Sequence, residues 1–112
     1  MVRKICLDSD VLISLFKKDE PTKTLLDNFR EVTFFTTSIN VFDLWVGRKD
    51  QEGTYELIES LEILDFDKIS AKISADILRN LKKQGRSLEF RDIFIASICI
   101  RNSLELLTYN KK

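Results

Sequence analysis

Asp8 and Asp10 stand at the tip of an apolar run, in the stretch "KICLDSDVLISLF". Asp43 lies inside "NVFDLW", between Phe42 and Leu44, and Asp92 opens "RDIFIAS". Each of these three loci sets an acid beside apolar neighbours. Carboxylates gathered in a partly buried cleft repel one another, and their pKa values rise unless a cation neutralises them. A hard divalent ion such as Mg²⁺ takes oxygen ligands, keeps several waters and meets substrate phosphates directly. One or two such ions can polarise a phosphodiester and activate water against it. The chain has no histidine. That removes Ser-His and Cys-His triads, imidazole acid–base catalysis and the usual zinc sites. Each acid also has an ordinary explanation. Asp8 and Asp10 could cap a helix, Asp43 could sit on the exposed side of an amphipathic helix, and Asp92 could favour a helix N-terminus through the dipole. The chemical reading needs the three loci to meet in space.

The elements that would bring them together are readable from periodicity. Val2–Leu7 reads as a buried strand. Val11–Phe16 turns into a helix, with Ser9 or Asp10 as its cap. Pro21 suits the first turn of a second helix carrying Leu25, Leu26 and Phe29. "VTFFTT" (Val32–Thr37) is β-branched and aromatic, hence a strand. Ser38 is placed to cap the helix "INVFDLWVG", which Gly47 ends. "TYELIESLEIL" starts helical and passes into a short strand around Ile63–Phe66. Ile69, Ile73 and Ile77 mark the inner face of an amphipathic helix that Gly85 stops. "RDIFIASICIRN" is apolar nearly all round, a buried helix, and "LELLTYN" is a fourth strand. Strands alternating with helices predict an α/β domain with a parallel sheet of about four strands and right-handed crossovers. Ligands of such sheets bind beyond the carboxyl ends of the strands, where Asp8 and Asp10 fall.

Composition bounds the rest. With 112 residues, 44% hydrophobic, 3 Gly and 1 Pro, one globular domain is expected. Lysine plus arginine and aspartate plus glutamate balance at 18 each, so only local patches can favour a polyanion. No apolar run approaches the roughly 20 residues that span a membrane, and the acids at 8 and 10 break any signal-peptide core. The expectation is a cytoplasmic protein in which Cys6 and Cys99 are small buried hydrophobes rather than a disulfide or redox pair. Arg79, Lys82, Lys83, Arg86 and Arg91 fall within thirteen residues holding one acid, Glu89. They form either a solvated helix face or a phosphate-binding patch for RNA. Trp45 and the eight phenylalanines read as core or interface. Leu15, Phe16 and Phe29 on the first two helices either pack inward or receive a partner's helix.

"LDSDVLI", "TSINVFDLWVG", "RDIFIASI" and "LLTYN" resemble, in order and spacing over essentially the whole chain, the successive motifs of PIN-domain ribonucleases. The likeness is strongest to the short VapC-type toxins of prokaryotic toxin–antitoxin pairs. The resemblance implies a three-layer α/β/α fold, an Mg²⁺- or Mn²⁺-dependent endoribonuclease, a homodimer, and inhibition by a small VapB-type antitoxin. Asp8 matches the family's first metal-binding acid and Asp92 its later one. Asp43 falls where the family usually has Glu, one methylene longer. Asp10 matches a supporting position, and Thr108 and Asn110 match the Thr-x-Asn pattern beside the site. The chain ends at Lys112, ahead of a further acidic or polar position and a last strand in the family. The expectation is therefore a single PIN-like domain over 1–112 lacking that final segment, with an incomplete site. Two rival readings stand beside this one. One is a catalytically impaired PIN domain that binds RNA or protein. The other is a haloacid-dehalogenase-type phosphatase, suggested by the Asp-x-Asp strand tip but opposed by Val11 and by the short chain.

Overall fold

A computed structural model describes residues 2–47 and 51–109. Four parallel strands form one sheet in the order β3-β2-β1-β4. They are β1 (Arg3–Leu7), β2 (Val32–Thr37), β3 (Glu62–Leu64) and β4 (Glu105–Leu107). Among the described residues six helices accompany them: α1 (Ser9–Phe16), α2 (Glu20–Asp27), α3 (Ser38–Gly47), α4 (Gln51–Glu59), α5 (Lys68–Lys83) and α6 (Phe90–Asn102). The expected parallel α/β architecture is present. The third strand lies slightly earlier than the periodicity suggested, ending at Leu64 rather than Phe66.

The two-residue period of β1 divides the core. Ile5 and Leu7 face one side, packing with Val11, Leu12 and Leu44, and with Leu57, Ile58 and Leu61 from the α4 region. Leu15, Leu26 and Phe29 are partly buried against the same cluster, so the core reading holds for Leu15 and Phe29. Cys6 points the other way and meets Ile95 and Cys99 of α6, with Ile39 and Leu104 around them. Both cysteines are buried and free. The hydrogen bond between the thiols, together with burial, pushes the Cys6 pKa up, so Cys6 remains a protonated core side chain. α5 lies on α6, and the Ser74 hydroxyl donates to Ser97 Oγ at 2.7 Å between them. The isoleucine stripe of α5 is less buried than its spacing suggested: Ile69 is exposed, and the fully buried position is Ser70. Ser70 and Ser74 are the buried positions of α5, and Ile73 and Ile77 are half-buried.

Local chemistry explains the helix ends. α5 begins at Asp67, whose carboxylate accepts from the Ser70 amide at 2.8 Å. It ends as expected at Gly85, which adopts φ +68°. The Gly85 amide donates to the Lys82 carbonyl and the Arg86 amide to the Leu81 carbonyl, the paired bonds of a Schellman end. Two caps sharpen the sequence reading. Of the candidates Asp8, Ser9 and Asp10, the cap of α1 is Asp8, because the helix already starts at Ser9. At α3 the Thr37 hydroxyl accepts from the Asn40 amide at 3.1 Å, while Ser38 lies within the helix. In both cases the strand runs into the helix one residue sooner than an open loop would allow.

Candidate active site

β1 occupies the position where the sheet reverses direction: the chain moves outward through β2 and β3, then returns to the other side of β1 as β4. A crevice opens at the carboxyl ends of strands at such a point. Asp8 is the first residue beyond β1, and its amide donates to the Leu107 carbonyl at 3.0 Å. The first acid is therefore seated against the end of β4 by the sheet's own ladder.

Asp8 is strongly held. Its Oδ1 accepts from the Ser9 amide at 2.9 Å and from Asn40 Nδ2 at 2.8 Å, and its Oδ2 accepts from the Thr108 hydroxyl at 2.8 Å. Its side chain is 13% exposed. Asp10 Oδ2 accepts from the Tyr109 amide at 3.0 Å and lies 3.3 Å from Thr108 Oγ1. Asp10 Oδ1 is buried with no hydrogen-bond partner among the described residues. Thr108 thus stands between the two acids. Asn110 lies outside the described residues.

Two residues that sequence reasoning passed over hold the site together. Asn40 is fully buried. It donates through Nδ2 to Asp8 and, at 2.8 Å, to Ser9 Oγ, while its Oδ1 accepts from the Thr37 hydroxyl at 2.7 Å. Ser9 Oγ in turn donates to Asp43 Oδ2 at 2.9 Å. The available signal was the threonine three residues before Asn40 at a strand-to-helix junction, a capping spacing. That signal says nothing of Asp8, which lies far away in sequence.

Arg91 joins the three loci. Its Nε donates to Asp43 Oδ2 at 2.5 Å, its Nη1 to Asp92 Oδ1 at 3.1 Å and its Nη2 to Ser9 Oγ at 3.3 Å, with Asp8 Oδ1 3.7 Å from Nη2. Burial pulls the guanidinium pKa down, but the bond to Asp43 and the charges of Asp43, Asp8 and Asp92 outweigh it, so the pKa sits above its ordinary value. Arg91 therefore faces the acids rather than joining an outward basic patch. Arg79 pairs with Asp76 on α5, and Lys82, Lys83 and Arg86 are exposed.

Asp8, Ser9, Asp10, Ile13, Asp43 and Arg91 line an open cleft of about 510 Å³. The donor set is all oxygen, partly buried and rich in carboxylate. It already surrounds a cation, and it includes the orphaned Asp10 oxygen, which suits a hard divalent ion. As the side chains stand, no three acidic, histidine or cysteine groups among the described residues are spaced to share one ion. Arg91 occupies the space between them.

Comparison with known proteins agrees with this architecture. A family model for the PIN domain matches residues 5–112. The chain is 36% identical over 92 residues to "Ribonuclease VapC3" of Methanocaldococcus jannaschii, covering 82% of this chain and 94% of that protein. It is 31% identical over 110 residues to "Ribonuclease VapC1" of the same organism, covering 97% and 77%. Among solved structures, VapBC2 from Rickettsia felis bound to a promoter DNA fragment superposes with a TM-score of 0.81 at 22% identity, covering 96% of this chain and 87% of that one. FitAcB from Neisseria gonorrhoeae superposes with a TM-score of 0.77 at 25% identity, covering 95% and 87%. A match along nearly the whole length, in sequence and in fold, shows that this chain belongs to the PIN domain family, among the VapC-type ribonucleases.

Proposed function

We propose that the protein is a metal-dependent endoribonuclease acting as the toxin of a toxin–antitoxin pair. The observation that carries this reading is the convergence of Asp8, Asp43 and Asp92 on one guanidinium at the reversal point of a parallel sheet. Asp8, Asp43 and Asp92 would hold Mg²⁺ or Mn²⁺, with Asp10 beside them. Bound there, such an ion supplies Lewis-acid polarisation of a phosphodiester and a water nucleophile. The chain's own contribution is positioning. Ser9, Asn40 and Thr108 fix both oxygens of Asp8, and Ser9 carries the same constraint to Asp43. The orientation of the acids is thus set before substrate arrives, which is where a preorganised site gains its rate. The exposed Lys82, Lys83 and Arg86 are suited to contact RNA phosphates.

A VapB-type antitoxin and a second copy of the chain are the proposed protein partners. The structural neighbours named as VapBC assemblies support the first. Phe42 and Val46 of α3, 65% and 71% exposed beside Asp43, support a protein surface near the cleft. The phosphatase reading is set aside by the family match.

A second reading, an impaired PIN domain that binds without cutting, is favoured by one observation: among the described residues no three acids are spaced to share an ion. The test is RNA cleavage by purified protein with Mg²⁺ or Mn²⁺. The nuclease reading expects cleavage that stops with EDTA and is lost in Asp92→Asn while the circular dichroism is unchanged. Cleavage indifferent to both would refute it, and metal binding without cleavage would select the impaired form.

A further inference from the structure

We propose that Arg91 is a built-in, displaceable counter-ion of the acid cluster. It neutralises the carboxylates in the absence of metal and must surrender its bonds to Asp43 and Asp92 for a divalent ion to bind. This inference rests on the metal-dependent reading above and adds a competitor contained in the same chain.

The geometry is that of mutual exclusion. Each of the three guanidinium nitrogens meets a different site residue: Nε meets Asp43, Nη1 meets Asp92, and Nη2 meets Ser9 with Asp8 close behind. The N–H groups point at Asp43 Oδ2 and Asp92 Oδ1, so an ion that takes these oxygens must displace the guanidinium. A hydrogen-bonded lone pair aimed at a guanidinium is not available to an ion at the same time. The planar, delocalised guanidinium suits this role, because it spans several carboxylates at once and does not lose its charge near neutral pH. It can be displaced, but it cannot be switched off by deprotonation.

Arg91 is also placed to leave. Its side chain is 36% exposed, and it sits in the first turn of α6, so release into solvent disturbs little packing. The helix itself is anchored by Ile93, Ile95, Ile98 and Cys99, none of which depends on the guanidinium. Asp8, Asp10 and Asp43 line the cleft and Asp92 bonds to the same guanidinium, so four carboxylates stand against this one arginine. A divalent ion therefore brings more charge to the cluster than the group it replaces, and exchange favours the ion once its concentration suffices.

Calorimetric Mn²⁺ titration of the full chain, as wild type, Arg91→Met and Arg91→Lys, tests the proposal. Removing an internal competitor should tighten Mn²⁺ binding in Arg91→Met by roughly tenfold or more, within the range of ordinary site-to-site coupling. Arg91→Lys, with a single charged head and fewer simultaneous bonds, should fall between the two. Thermal unfolding gives a second readout: without metal Arg91→Met should melt below wild type, and Mn²⁺ should raise its Tm by more than it raises that of wild type. If Arg91→Met does not fold, Arg91→Lys carries the test, and it must still bind Mn²⁺ more tightly than wild type. Equal or weaker Mn²⁺ affinity in the folded variant, with wild type binding normally, would overturn the competitor role and leave the metal-dependent reading standing. Absence of Mn²⁺ binding in wild type and variants alike would remove both.

Discussion

Asn40 offers the sharpest check on how the site is built. Truncation in Asn40→Ala removes three side-chain hydrogen bonds at a fully buried position: to Asp8, to Ser9 and from Thr37. A bond to a charged acceptor contributes about 1.5–3 kcal/mol and each neutral one about 1 kcal/mol. The total is roughly 3.5–5 kcal/mol as an upper bound, and water entering the vacated volume returns part of it. A loss of about 3 kcal/mol is expected, which for a chain of this size lowers Tm by roughly 12 °C. The isosteric Asn40→Asp separates hydrogen bonding from volume. It sets a carboxylate oxygen where the amide nitrogen now stands 2.8 Å from Asp8 Oδ1. Two like charges at that distance raise the folded-state pKa of the introduced acid above its unfolded value. A raised carboxylate pKa means that folding takes up a proton, so stability is retained at low pH and lost as pH rises through the folded pKa. The Tm deficit of Asn40→Asp against wild type should therefore be large near pH 8 and shrink toward about pH 5. Differential scanning calorimetry of the three proteins at both pH values measures this. The reasoning fails if Asn40→Ala melts within about 3 °C of wild type, or if the Asn40→Asp deficit is the same at both pH values.

Asp8→Asn should stay folded, because an amide keeps an acceptor for the Ser9 amide and Asn40, and the Thr108 hydroxyl can turn to accept from its nitrogen. Its Mn²⁺ affinity should drop by roughly tenfold or more, since outer-shell changes alone reach that size; calorimetry showing unchanged affinity would reject Asp8 as a ligand. Asp67 is expected to shape acid unfolding. The Ser70 amide bond first, and Arg101 after it, hold its pKa below the ordinary value. A depressed carboxylate pKa contributes stability that is full above the unfolded pKa and lost as pH falls through the folded pKa. Asp67→Ala should thus be less stable at neutral pH and show a shallower acid limb in urea titrations; limbs of equal slope would count against the cap.

The strands and helices were largely legible in the sequence because their signals are local. Alternation marks Val32–Thr37 as a strand, and Gly85 stops α5 through a backbone conformation that glycine adopts without strain. The three acidic loci were legible too, since an aspartate amid Phe42, Leu44 and Trp45, or at a strand tip, is out of character for an apolar run. The family motifs carried Thr108 to the site, and the structure places its hydroxyl on Asp8.

Tertiary structure alone decided how those acids are held. Parallel pairing of β1 with β2 and β4 sets Asn40, Arg91 and Thr108 around Asp8, which lies 32 to 100 residues from them in sequence. No short-range pattern encodes such a meeting. The basic segment shows the same limit. By composition Arg91 belongs with Arg79, Lys82, Lys83 and Arg86, yet it turns inward where the others remain exposed or pair along α5. Sequence supplies the charge of a side chain, but the strand order and the helix set on it decide which opposite charges that side chain can reach. Coulomb attraction falls with distance and with solvent exposure, so placement against three part-buried carboxylates, not residue type, separates Arg91 from its neighbours.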